Sequence, residues 1–143
     1  MTSARELLLR AGWSSDRRVD VETMVGELEV AGHSVVPAAR RFLEVFSGLM
    51  VTEDEGRRAL RIDGHEAARH ADPDWCKAYA EGIGRAVTPV GDYSHMTLVI
   101  DEVGAFWGGF DADYGLIGES IVEVVEALLI KPGSRQLDRT APD

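Results

Sequence analysis

The sequence predicts a single α+β domain in which helices pack against one antiparallel or mixed sheet. Three observations carry that prediction. Apolar residues recur at helical spacing in several separate segments, and between them stand short runs rich in β-branched and aromatic residues. Turn-like links join those runs, with no repeating strand-helix-strand unit of the kind a parallel sheet requires. At 143 residues the chain is long enough to bury a core without disulfides or a metal.

The elements follow in order. Residues 3–11 (SARELLLRA) predict a helix started by Ser3 and stopped by Gly12, with Leu7, Leu8 and Ala11 on one stripe. After the loop GWSSDRR, Asp20 caps a second helix in which Val21, Met24, Val25 and Leu28 face inward and which Gly32 ends. HSVVP (33–37) is an extended link or a short strand. Pro37 suits the first turn of a third helix, whose stripe is Ala39, Phe42, Leu43 and Phe46 and whose stop is Gly48.

LMVT (49–52) and ALRID (59–63) are two antiparallel strands separated by the turn TEDEGRR. The state of 65–71 is left open by its polarity. Asp72 and Pro73 begin a helix that lays Trp75, Tyr79 and Ile83 on the core. AVTPVG (86–91) is extended, and MTLVID with AFWGGF form a hairpin around Asp101, Glu102, Val103 and Gly104. Ser120 or Glu119 starts a last helix with Ile121, Val124, Val125, Leu128 and Leu129 inward, which Pro132 and Gly133 stop. The domain is expected over residues 4–131. Residues 132–143 are expected to form a polar, disordered tail.

The single Cys76 and the absence of a secretory signal point to a reducing, cytoplasmic compartment. No apolar run approaches the roughly 20 residues that cross a bilayer, so no membrane partner is expected. Thirteen Arg against two Lys, among many Ala, Gly and Val, suggest a GC-rich bacterial source.

The net charge is −10, and its placement is uneven. Residues 86–130 hold Asp92, Asp101, Glu102, Asp111, Asp113, Glu119, Glu123 and Glu126 with no Lys or Arg. Such a block repels nucleic acid, whose phosphates need basic side chains, and attracts a basic protein. The alternative reading is an acidic surface kept for solubility alone.

Little in the chain points to catalysis. His33, His65, His70 and His95 form no zinc pattern. Asp111, Asp113 and Gly115 fail the calcium-loop spacing, because the twelfth position is Val122 and the glycine falls at the fifth. GIGRAV (82–87) lacks a third glycine and precedes a strand, whereas a dinucleotide fingerprint follows one. No nucleophile elbow is present, and no carboxylate pair is brought together by spacing. No catalytic residue, cofactor or metal is expected, and the chain is expected not to be an enzyme. Trp75 is expected in the core and Trp13 over the end of the first helix. Trp107 and Phe106 must point to opposite faces of their strand, so one aromatic is either a second-face core residue or an outward binding anchor.

LLLRAGWSSDRRVDV (7–21), AARRFLEVFSGLMV (38–51), DPDW (72–75), TPVG (88–91), LVIDEVGAFWGGFD (98–111), LIGES and EALL together resemble a SUKH-3 domain, a bacterial branch of the SMI1/KNR4-like superfamily. The resemblance rests on the order and spacing of GW-x3-R, R-x-FL-x2-FxGL, V-x-DE-x-G and GGFD. It implies an α+β fold and an immunity protein that binds and masks a polymorphic toxin domain, often a nuclease or nucleic-acid deaminase. The family's recurring residues, here Gly12, Trp13, Arg17, Phe42, Leu43, Gly48, Asp101, Gly104, Gly109, Phe110 and Asp111, read as caps, turns and core.

On that resemblance the partner is a basic toxin domain. The partner-binding surface is expected on the hairpin and the following turn, with Asp101, Glu102, Asp111 and Asp113 as charges and Tyr93, Trp107 and Tyr114 as aromatic anchors. The competing expectation is an intracellular interaction or regulatory module of the same fold without a toxin partner.

Overall fold

The structure is a computed structural model and describes residues 2–94, 96–109 and 115–130. Six strands, β1 (Leu49–Thr52), β2 (Ala59–Ile62), β3 (Val87–Tyr93), β4 (Met96–Asp101), β5 (Phe106–Gly109) and β6 (Gly115–Gly118), form one sheet in chain order. Every neighbouring pair is antiparallel, which resolves the choice between an antiparallel and a mixed sheet. Side chains alternate across the pleat, so the register sends Leu60, Ile62, Leu98, Ile100 and Phe106 to one face and Arg61, Asp92, Val99 and Trp107 to the other.

The first face holds the main core. Helices α1 (Ala4–Ala11), α2 (Glu22–Val30), α3 (Pro37–Phe46) and α6 (Ile121–Val125) contribute Leu7, Leu8, Leu28, Leu43 and Val124 to it. Each of the four leucines is at most 2% exposed, and burial of such a side chain contributes about 2 kcal/mol. The second face is covered by α5 (Pro73–Ile83), where Cys76 and Tyr79 pack on Val87 and Val99, with Trp75, Ile83 and Trp107 half-buried around them. Burial pushes the Cys76 thiol up to about 12, so it is a core side chain and not a nucleophile.

Local chemistry explains the helix ends. Ser3 and Glu6 form a reciprocal capping box on α1, and Gly12 leaves that helix at φ 115°, a left-handed conformation suited to glycine. Asp20 accepts a hydrogen bond from the Glu22 amide at 3.0 Å, so α2 starts two residues after the aspartate. Arg17 donates to the carbonyls of Val45 at 2.5 Å and Ser47 at 2.9 Å, satisfying groups that the end of α3 leaves open. Trp13 stacks on Phe46 with centroids 6.1 Å apart, under the Arg5 guanidinium. The GW-x3-R spacing is thus a device that ties the first loop to α3.

Four features differ from or extend the sequence reading. The polar segment 65–71 folds as helix α4 (Gly64–His70), because Asp63 accepts from the amides of His65 and Glu66. HSVVP is not a strand. It is held by Thr88, whose hydroxyl accepts from the Val36 amide and donates to the Ser34 carbonyl. Strand β6 was not foreseen at GLIG, a four-residue run with two glycines. The last helix changes character at Glu126–Ile130, a π-helical continuation in which the Leu128 carbonyl accepts from the Tyr93 hydroxyl at 3.1 Å. Its expected stop at Pro132 and Gly133, and the tail 132–143, lie outside the described residues.

Pro89 occupies a central strand, where its missing amide is normally excluded. It stands beside a bulge at which the β3–β4 register shifts between Pro89 and Gly91. A Cβ at Gly91 would lie 2.1 Å from the Arg61 carbonyl oxygen, so glycine is required by close backbone approach.

His33 is 6% exposed, and both ring nitrogens lack a hydrogen-bond partner among the described residues. Burial holds its pKa below the ordinary 6.5, against the opposing pull of the nearby Ala71 backbone and Asp72. Below 6.5 the unfolded chain therefore binds a proton that the folded chain refuses, and stability falls as the pH drops through that value toward the folded pKa. Melting temperatures between pH 7.5 and pH 5.5 should show this decline. His33→Phe, which fills the space without a titrating group, should flatten it; an unchanged slope would remove His33 as the cause.

Candidate partner-binding surface

The β4–β5 hairpin is organised by one buried carboxylate. Asp101 is 0% exposed. Its Oδ1 accepts from the amides of Val103 and Ala105, each at 2.9 Å. Its Oδ2 accepts from Arg85 Nη1 at 2.8 Å and Trp107 Nε1 at 3.0 Å. The backbone adds Asp101 N to the Ala105 carbonyl at 2.9 Å and Gly104 N to the Asp101 carbonyl at 3.1 Å. Burial alone would raise the Asp101 pKa. The Arg85, Trp107, Ala105 and Val103 donors outweigh it and hold the carboxyl below its ordinary value.

This corrects the expectation that Asp101 offers a surface charge: the V-x-DE-x-G spacing folds its carboxylate inward as the hairpin's anchor. Trp107 is half-buried against the α5 cluster, with its indole N–H committed to Asp101. Tyr93 is half-buried and directs its hydroxyl at Leu128. Glu102 is exposed at the turn, and one carboxylate oxygen accepts from the Ala86 amide at 2.8 Å. Asp111, Asp113 and Tyr114 lie outside the described residues.

Glu102 stands at one end of β4 and β5, whereas β5 ends at Gly109 opposite Thr97, at the other end of the sheet. Beside that second end Tyr79 reaches through the core, donating to the Gly108 carbonyl at 2.6 Å and accepting from the Gly115 amide at 3.0 Å. The strand ends that lead into residues 110–114 are therefore distant from the Glu102 turn, while Gly118 pairs with Phe106 and brings Glu119 to the Glu102 end.

The acidic block is also less uniform than its composition. Arg61 donates to Asp92 at 2.9 Å, and Arg85 pairs with Asp101 at 2.8 Å; both arginines precede the block in sequence. Glu102, Glu119, Glu123 and Glu126 are exposed and form no salt bridge with a basic side chain among the described residues. Glu123 has a structural task, accepting from the Glu119 amide at 2.8 Å while its own amide bonds the Ser120 hydroxyl. Sequence reading missed Arg85 and Arg61 as neutralising partners, because only the three-dimensional register sets them opposite their carboxylates. Among the described residues no group of three or more His, Cys, Asp and Glu is gathered as a metal site, and no helix is long and apolar enough to cross a membrane.

The fold is thus a six-stranded antiparallel α+β domain with four exposed carboxylates that no basic side chain pairs among the described residues. The SUKH-3 immunity protein family model matches residues 2–131, and the chain belongs to that family. No curated protein and no solved structure matches the chain. The family supports an immunity-protein role with a protein partner.

Proposed function

We propose that this chain protects its producing cell by binding a cognate toxin domain that acts on nucleic acid, a nuclease or a deaminase, and covering that domain's basic active site with an acidic surface. It acts by binding, without catalysing a reaction, in the cytoplasm. The observation that supports this reading is the exposed carboxylate set Glu102, Glu119, Glu123 and Glu126, none of which forms a salt bridge among the described residues, inside a member of an immunity family. A site that handles phosphates is lined with Lys and Arg, and exposed carboxylates without cationic partners present the charge such a site is built to receive. Asp111 and Asp113 extend the same charge in sequence, and Tyr93, Trp107 and Tyr114 supply aromatic groups near it in the chain.

A pulldown from native lysate, washed at low and at high salt and read by mass spectrometry, tests the proposal. The expected result is a basic toxin module retained at low salt and depleted at high salt. Recovery of housekeeping proteins alone would contradict it and favour a regulatory module.

A further inference from the structure

The β4–β5 turn is fixed far more firmly than a hairpin needs. A short hairpin turn closes with one or two backbone hydrogen bonds. Here a fully buried carboxylate adds four more, two to the turn's own amides and two that tie it to Arg85 and Trp107. The Glu102 carboxylate makes a further tie to Ala86, so the turn is fastened to the segment leaving α5 at two successive residues. Removing a carboxylate from water carries a desolvation cost, and the four donors offset it only while the turn keeps this one conformation. What the arrangement holds in place is the tip: Val103 is 72% exposed, and the space around Gly104 is open.

We infer that the Glu102–Val103–Gly104 tip is a preformed contact knob for the toxin domain, with Val103 seated in an apolar hollow rimmed by Lys or Arg, and with Asp101 as the positioning residue that fixes it. The inference rests on the proposed function. Apolar insertion at the centre of a charged contact is the usual anatomy of a strong interface, and a knob ordered before binding loses little conformational freedom on docking. The sign of the rim follows from the surroundings. Glu102 flanks Val103 on the tip, and the β5–β6 register brings Glu119 to the same end of the sheet, so two exposed carboxylates stand at the knob's end.

The test uses the full chain and, as probe, a catalytically inactivated form of the basic toxin domain that the low-salt pulldown recovers. Because Val103 is exposed, Val103→Glu should leave the melting temperature unchanged and weaken binding about tenfold or more. Asp101→Asn, which turns an amide donor toward Arg85 and Trp107, should weaken binding in the wild-type background and have much less effect on binding once Val103→Ala has removed the knob. A purely structural role for Asp101 would make the two losses additive. Binding by Val103→Glu within twofold of the wild type overturns the inference while leaving the proposed function standing, provided that Glu119→Lys with Glu126→Lys does weaken binding. A wild-type chain that binds no toxin domain overturns both readings. Self-association of the chain alone, abolished by Val103→Glu in sedimentation, would assign the knob to a second copy and overturn it as well.

Discussion

Asp101→Ala is expected to destabilise the fold by about 3 kcal/mol, the largest loss among single changes at the hairpin. The substitution removes the acceptor of four hydrogen bonds at once and strands the buried Ala105 amide and the half-buried Trp107 indole N–H. Arg85 contributes less to the total, because its side chain is 44% exposed and water can replace the lost carboxylate. For a chain of this size the loss lowers the melting temperature by roughly 10 °C. A melting temperature within a degree or two of the wild type would show that the buried carboxylate is not the hairpin's anchor.

The pH sign follows from the same contacts. The folded-state pKa of Asp101 lies below the ordinary 3.8, so its stabilisation is present above that value and is lost as the pH falls through the folded pKa. The His33 effect lies in a separate window, below 6.5 and at milder acidity, so the two can be separated in one titration of stability.

The second large effect is on binding. Glu119→Lys with Glu126→Lys is expected to weaken the toxin complex about 10- to 100-fold at low salt, with most of the change in the association rate. Both side chains are exposed, so the fold should tolerate the exchange. Glu123 is left in place because its carboxylate caps the Glu119 amide at the start of α6, and its loss would confuse a binding effect with a folding one. Reversal changes the charge of the surface by four units, which turns attraction to a basic site into repulsion at that edge. Asp92 and Asp101 make poor choices for the same experiment, since Arg61 and Arg85 already neutralise them.

Much of the fold was legible because local chemistry decided it. Ser3, Pro37, Asp72 and Ser120 mark helix starts, Gly12, Gly32 and Gly48 follow helix ends, and runs with β-branched or aromatic residues mark β1, β2, β4 and β5. What was not legible depends on partners distant in sequence. Strand β6 is a glycine-bounded run whose strand state comes from pairing with β5, and α4 needed the Asp63 cap to outweigh a polar, unpatterned sequence. The π-helical turn at Glu126–Ile130 has no sequence signature, since the same stripe fits an α-helix.

The site was legible as charge and not as geometry. Counting carboxylates over residues 86–130 located an acidic region, but it could not distinguish Asp101, which is buried, from Glu102, which is exposed one residue later. Alternation along a strand makes that distinction only when the register is known. Likewise the hairpin and the turn after it are close in sequence, yet antiparallel pairing sends the strand ends on either side of residues 110–114 to the end of the sheet away from Glu102.

The central claim, binding through an acidic surface, is tested most directly by isothermal titration of the inactivated toxin domain with the wild-type chain and with the Glu119→Lys, Glu126→Lys chain, each at low and at high salt. The account predicts that the wild type binds tightly and loses affinity as salt rises, and that the double variant binds more weakly with a shallower salt dependence. Equal affinities for the two chains, with no dependence on salt, would contradict it.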